Sequence, residues 1–239
     1  MINKIRRKFA KIIYDNITFE SYFNVPFKFV NSELKAVNEK IIEIPFVFSS
    51  INNIDRPQKI LDFGCTRSWI SISLASLGHN VFGVDLREYL FKHDNFLFKK
   101  QDILEFAEKN FDIVIAISTI EHVGLGVYGE KYNPDILPKI INKISSLLKD
   151  RGDLIVTTPV GKPSIDYFQR SFSPTEIIEL IRNGSFDMEK ESYFKRIKYK
   201  SWFQCTRNEI VEVSNHIKER NKVRSGVNGV GCFVFKKIS

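Results

Sequence analysis

Cysteine, methionine and tryptophan are scarce here: three Cys, two Met and two Trp in 239 residues. Cys65, Cys205 and Cys232 form no Cys-x-x-Cys pair, which excludes a disulfide framework and suits a reduced, intracellular protein. Long apolar runs are also missing. The most apolar windows, 41–51 and 113–120, fall far short of the roughly 20 residues of a membrane span. Lys8, Lys11 and Asp15 break the basic N-terminus, so it makes a poor signal peptide.

What the chain does have is core-forming material. Apolar residues make up 43% and include 21 Phe, which excludes intrinsic disorder and assigns much of the core volume to aromatic rings. The net charge of +8 permits an acidic partner but names none. Ile2, Ile5, Phe9, Ile12 and Ile13 share one helical face, surrounded by Lys4, Arg6, Arg7, Lys8 and Lys11. Residues 1–17 are therefore either a peripheral contact with the inner face of a membrane or a helix laid on the domain.

Residues 1–57 read as a helical cover segment and 58–239 as the main domain. Asn31 and Ser32 suit the cap of a helix carrying Leu34, Val37, Ile41 and Ile44, interrupted at Pro45. From Lys59 onward, strands at 60–63, 81–84, 96–99, 111–117 and 154–158 alternate with helices at 69–77 and 137–148, with a turn at 151–152. This alternation predicts a doubly wound, mostly parallel α/β sheet. Beyond Pro174 come a helix at 175–181, a strand at 192–197, a helix at 208–216 and a last strand at 232–236 in a final hairpin.

The chemistry concentrates in Ile60-Leu-Asp-Phe-Gly-Cys-Thr-Arg-Ser-Trp69, followed by Asn80-Val-Phe-Gly-Val-Asp-Leu86. A strand runs into Asp62-x-Gly64 and a tight loop, and a second strand ends at Asp85. An α/β sheet builds a nucleoside site this way, with a carboxylate to accept the ribose hydroxyls. The Gly-x-Gly-x-x-Gly of nicotinamide proteins is absent.

Residues 59–162 resemble the class I S-adenosylmethionine-dependent methyltransferases. Ile-Leu-Asp-Phe-Gly-Cys is similar to their first motif, Gly83-Val-Asp85-Leu86 to the ribose-binding acid, and Lys100-Gln-Asp102-Ile103 to the third-strand group that meets adenine. Phe111 to Val123 resembles their fourth strand and its turn, and Arg151-Gly-Asp-Leu-Ile-Val-Thr-Thr-Pro159 their fifth. The run Ser118 to Gly129, with Pro159-Val-Gly-Lys162, is similar to an uncharacterised bacterial methyltransferase-like subgroup, some of it associated with surface-polysaccharide synthesis. The resemblance implies a Rossmann-like seven-stranded sheet with an antiparallel C-terminal strand and S-adenosylmethionine as cofactor. The cofactor-binding residues it implies are Asp62, Gly64, Cys65, Thr66, Ser68, Asp85, Leu86, Asp102, Ile103 and Ser118. Thr66 and Ser68 depart from the family's glycines, and a side chain there either crowds the loop or offers its hydroxyl to the cofactor carboxylate.

A hydroxyl acceptor benefits from a general base, and His122, after the fourth strand, is the catalytic candidate. Glu121, Tyr128, Tyr132, Tyr167 and Trp202 are substrate-binding candidates for a small-molecule or glycan acceptor. Ser118 leaves a Glu-x-x-Glu-His metal cluster incomplete, so no metal is assigned. Two other readings stay open. One is a degenerate interaction module with its loop spoiled at Thr66 and Ser68. The other is an RNA methyltransferase. The absent Asn/Asp-Pro-Pro-Tyr turn weighs against a base-amine enzyme, and the lack of cysteine between Cys65 and Cys205 against a carbon-5 pyrimidine enzyme, which leaves a ribose- or guanine-directed RNA enzyme open.

Overall fold

A computed structural model describes residues 26–51, 56–198, 201–215 and 227–239. The amphipathic stretch 1–17 and His216 lie outside the described residues. In chain order the strands and helices are β1 (Phe27–Val30), β2 (Glu33–Val37), α1 (Lys40–Ser50), β3 (Lys59–Phe63), α2 (Ile70–Ser76), β4 (Asn80–Asp85), β5 (Phe96–Lys100) and β6 (Phe111–Ile117). Then follow α3 (Leu137–Leu147), β7 (Leu148–Pro159), β8 (Ser164–Ile165), β9 (Arg170–Ser171), α4 (Pro174–Arg182), β10 (Phe186–Ile197), β11 (Ser201–Cys205), α5 (Arg207–Ile210) and β12 (Gly229–Lys237).

The main sheet has the order β11-β10-β12-β7-β6-β3-β4-β5. From β7 to β5 every pairing is parallel, and β12 runs antiparallel between β7 and β10. The expected Rossmann-like sheet with an antiparallel C-terminal strand is therefore present, extended at one edge by β11. On β6, Val114 and Ala116 pack into one core with Ile140, Ile144, Ile177 and Ile181 of α3 and α4. Ile113 and Ile115 pack into the other, with Ile44, Val47, Ile70 and Leu74 of α1 and α2. The unbroken apolar run 113–117 is what a strand covered on both faces requires.

The N-terminal region departs from the helical expectation. Asn31 and Ser32 both take positive φ, 50° and 63°, and join β1 to β2 with Val30 opposite Glu33. Both positive values are the signature of a type I′ hairpin turn, so these residues turn a hairpin and Leu34 and Val37 belong to a strand. Pro45 sits inside α1 without ending it. The ring forfeits one backbone hydrogen bond, and burial of Ile44, Phe46 and Val47 offsets the loss.

Two other boundaries move. The turn expected at 151–152 lies within β7, where the ladder passes from Leu148 opposite Phe111 directly to Asp153 opposite Ile113. The intervening residues bulge out, and Arg151 takes φ of 60°. The helix expected at 208–216 ends at Ile210, because the Val213 carbonyl accepts from the Lys162 amide at 2.7 Å instead of continuing the helical ladder.

Candidate active site

The carboxyl ends of β3, β4, β5 and β6 open into a cavity of about 560 Å³, within the size range of small-ligand sites. Gly64 ends β3 with φ of 79°, and a Cβ there would collide with the Thr119 side chain. The bare backbone at this position is therefore required twice over. In the loop that follows, Arg67 takes the left-handed conformation (φ 66°), while Thr66 and Ser68 do not. Their side chains thus need no strained backbone. The Thr66 hydroxyl donates to the Arg87 carbonyl (3.4 Å), and Ser68 Oγ accepts from the Ile70 amide (3.3 Å) at the start of α2.

Asp85 at the end of β4 lines the cavity beside Leu86. Its Oδ2 accepts from the Thr66 amide (2.9 Å) and Arg87 Nη2 (3.0 Å), and its Oδ1 from the Arg87 amide (2.9 Å) and Nε (3.0 Å). Asp102 and Ile103 line the same end, with the Asp102 carboxylate accepting from the Leu104 amide at 2.8 Å. Asp62 and Cys65 are both buried and lie behind the wall rather than on it. Asp62 accepts from the Ser71 hydroxyl at 2.5 Å, which ties β3 to α2. Burial, set against that hydrogen bond, raises its pKa to about 7.

At the other end, α1 delivers Glu39, Lys40 and Glu43, residues absent from the sequence-based assignment. Glu43 is fully buried and accepts from Ser118 Oγ (2.6 Å), Thr157 Oγ1 (2.7 Å) and Lys40 Nζ. Lys40 also donates to Ser118 Oγ at 2.8 Å. Burial alone would lower the Lys40 pKa, but Glu43 and Glu39 hold it above its ordinary value. Ser118 takes φ of 46°, a strained conformation that these partners pin at the end of β6. A single acid inside the apolar run Ile41–Phe48 was the available sequence signal for this cluster.

Glu121 and His122 follow β6 in the same cavity. Glu121 is 1% exposed, accepts from Thr158 Oγ1 at 3.2 Å, and is pushed by burial to a pKa of about 8. The carboxyl is therefore mostly neutral at pH 7. His122 Nδ1 lies 2.7 Å from the Phe168 carbonyl, so Nδ1 carries the proton and donates it. Nε2 is left as the basic nitrogen, 3.9 Å from Glu121. Burial lowers the His122 pKa, against the pull of the Phe168 carbonyl, so the ring is neutral at pH 7.

Edge-on contacts with Phe168 (4.7 Å between centroids) and Tyr128 (5.6 Å) fix the imidazole plane. The Phe168 segment is itself held. Asp166 accepts from the Phe168 and Gln169 amides, and Arg170 donates to the Pro134 and Val123 carbonyls. Gln169, 7% exposed, lines the cavity with its Nε2 lacking a hydrogen-bond partner.

The sequence candidates thus divide. Gly64, Thr66, Ser68, Asp85, Leu86, Asp102, Ile103, Ser118, Glu121, His122 and Tyr128 share one cavity. Tyr132 and Tyr167 are exposed and lie off its wall. Trp202, on β11, donates its indole N–H to the Val37 carbonyl at 3.0 Å and joins the sheet edge to β2.

Comparison with known proteins agrees with this geometry. The model of the methyltransferase-domain family matches residues 37–206, more than half of the chain. A ubiquinone biosynthesis O-methyltransferase of Hydrogenovibrio crunogenus is 27% identical over 169 residues, covering 66% of this chain and 64% of that protein. One from Glaesserella parasuis is 25% identical over 149 residues, covering 56% and 58%. The matches therefore span less than two thirds of the relatives' length.

Among solved structures, a Burkholderia thailandensis 1,6-didemethyltoxoflavin-N1-methyltransferase with bound S-adenosylhomocysteine superposes with TM-score 0.58 at 18% identity, covering 82% of this chain and 77% of that one. A Methanosarcina mazei S-adenosylmethionine-dependent methyltransferase gives 0.56 at 14%, covering 81% and 97%. The donor set fits S-adenosylmethionine: a cavity-facing carboxylate for a ribose diol, a glycine turn that brings bare backbone to the wall, and the Lys40 ammonium near Ser118 for a carboxylate. No helix of the described residues is long and apolar enough to cross a membrane. The chain belongs to the methyltransferase-domain family, and its fold is that of S-adenosylmethionine-dependent methyltransferases.

Proposed function

We infer that this enzyme methylates a hydroxyl group on a small-molecule or glycan acceptor, with His122 as general base. The carrying observation is the 2.7 Å contact between His122 Nδ1 and the Phe168 carbonyl. A neutral alcohol is a weak nucleophile, and a base positioned at its proton contributes roughly 10²–10⁴-fold. Here the base is neutral at pH 7, of fixed tautomer, and set in plane by two aromatic rings. S-adenosylmethionine supplies the methyl group from its sulfonium centre.

The chain's own residues do the rest. Asp85, Asp102 and Ile103 hold the nucleoside end, and Lys40 and Ser118 the amino-acid end. His122 Nε2 takes the hydroxyl proton as the oxygen attacks. Glu121 stays neutral beside it and adds no charge to the reacting region. Asp62 and Cys65 act from behind the wall, keeping the loop in place. The O-methyltransferase relatives favour oxygen over nitrogen as the acceptor atom.

The test is a panel of phenols and sugars assayed with labelled S-adenosylmethionine, the product being located by mass spectrometry. O-methyl product is expected, with His122→Ala lowering kcat by roughly 10²–10⁴-fold and leaving S-adenosylhomocysteine affinity unchanged. An N-methyl product, or full activity in His122→Ala, would remove this reading.

A further inference from the structure

The Asp85 carboxylate has about four lone-pair sites, and the chain itself fills all four. Two of the donors are backbone amides, of Thr66 and Arg87, fixed by the turn. The other two are Nε and Nη2 of the Arg87 guanidinium, on a side chain about one-third exposed that lines the cavity. A vicinal diol supplies two O–H donors of its own, so it can replace the guanidinium and nothing else. As the site stands, ribose hydroxyls cannot reach Asp85 until Arg87 lets go.

Arg87 also has a second anchor. Its guanidinium carbon lies 3.9 Å from the centroid of the Tyr128 ring, and that ring stands edge-on to His122. Guanidinium stacking of this kind survives loss of the ion pair. The other carboxylates lining the cavity offer little in exchange. Glu130 already accepts from the Gly126 and Tyr128 amides, Asp102 caps Leu104, and burial raises the pKa of both Glu39 and Glu121.

We propose that Arg87 is an exchange residue: it occupies Asp85 in the free enzyme, is displaced by the cofactor's ribose, and then presents its guanidinium on Tyr128 to a carboxylate or phosphate group of the acceptor. The cofactor therefore binds first, and the acceptor is anionic. This rests on the assignment of Asp85 to the ribose and deepens the proposed function by naming an acceptor class.

The experiment is calorimetric titration of S-adenosylhomocysteine into the wild type, Arg87→Ala and Arg87→Lys, and of benzoate, a simple carboxylate probe, into each protein with and without S-adenosylhomocysteine. Arg87→Ala, freed of the competitor, is expected to bind S-adenosylhomocysteine about 5- to 10-fold tighter, with Arg87→Lys in between. Benzoate is expected to bind the wild-type S-adenosylhomocysteine complex at least roughly tenfold tighter than the free enzyme, and Arg87→Ala should lose this preference. Unchanged or weaker S-adenosylhomocysteine binding by Arg87→Ala, or equal benzoate affinity in both wild-type states, would overturn the proposal. A wild type that binds no S-adenosylhomocysteine would overturn the ribose assignment beneath it as well.

Discussion

At one end of the cavity, Asp85 receives four donors within 3.0 Å, two of them from the Arg87 guanidinium. At the other, Glu121 receives one hydroxyl at 3.2 Å, and burial drives it toward the neutral acid. The same functional group is thus saturated with donors at one end and buried with a single hydroxyl partner at the other. Neighbours explain the difference. Asp85 sits at a strand end, where a turn aims backbone amides at it, whereas Glu121 lies beneath the loop that carries Phe168 and Arg170.

The largest expected effect tests the cluster that closes the Glu121 end. Glu43→Ala leaves the Lys40 ammonium without its buried partner, and losing one member of a buried pair costs about 3–5 kcal/mol. Chemical denaturation should show this as a lowered midpoint, and a loss below about 1 kcal/mol would mean that α1 docks through its apolar face alone.

Next is Asp85→Ala, which removes the proposed ribose acceptor. S-adenosylhomocysteine affinity should fall roughly a hundredfold, as expected for two charge-assisted hydrogen bonds. Unaltered affinity would show that the two ends do not differ in the way described.

A third test concerns pH. With a pKa raised from 4.5 to about 8, folded Glu121 keeps a proton across that window which the unfolded chain has released. Stability therefore falls as pH rises from about 5 to 8. Asp62, raised to about 7, adds to the same slope. His122 opposes it, because its lowered pKa makes stability rise with pH through the ordinary histidine range. Glu121→Gln should flatten the decline in melting temperature between pH 5 and pH 8, and an identical slope in wild type and variant would show that Glu121 ionises normally.

The Asp85 end was legible in the sequence because its parts are local. Asp62, Gly64, Asp85 and Asp102 lie at or just beyond the carboxyl ends of β3, β4 and β5, and parallel strand ends converge at one edge of the sheet. The hairpin at Asn31–Ser32 was not legible, since short polar residues that cap helices also tolerate the positive φ of a tight turn. Trp202 carried no pocket signal beyond being aromatic after the fifth strand, and its indole satisfies a backbone carbonyl of β2 instead.

The sequence by itself determined the alternation of strands and helices, the glycine turn, the acid at the end of β4 and the adjacency of Glu121 and His122. These follow from periodicity and from spacings within about one strand-helix-strand unit. Tertiary structure alone decided the protonation of Glu121, the tautomer of His122 and the arrival of Lys40 and Glu43 from α1. Each depends on groups remote in the chain, as Glu43 is from Ser118 and Thr157, or His122 from Phe168. Burial and hydrogen-bond partners set the charge state of a group, and they exist only once distant segments have packed together.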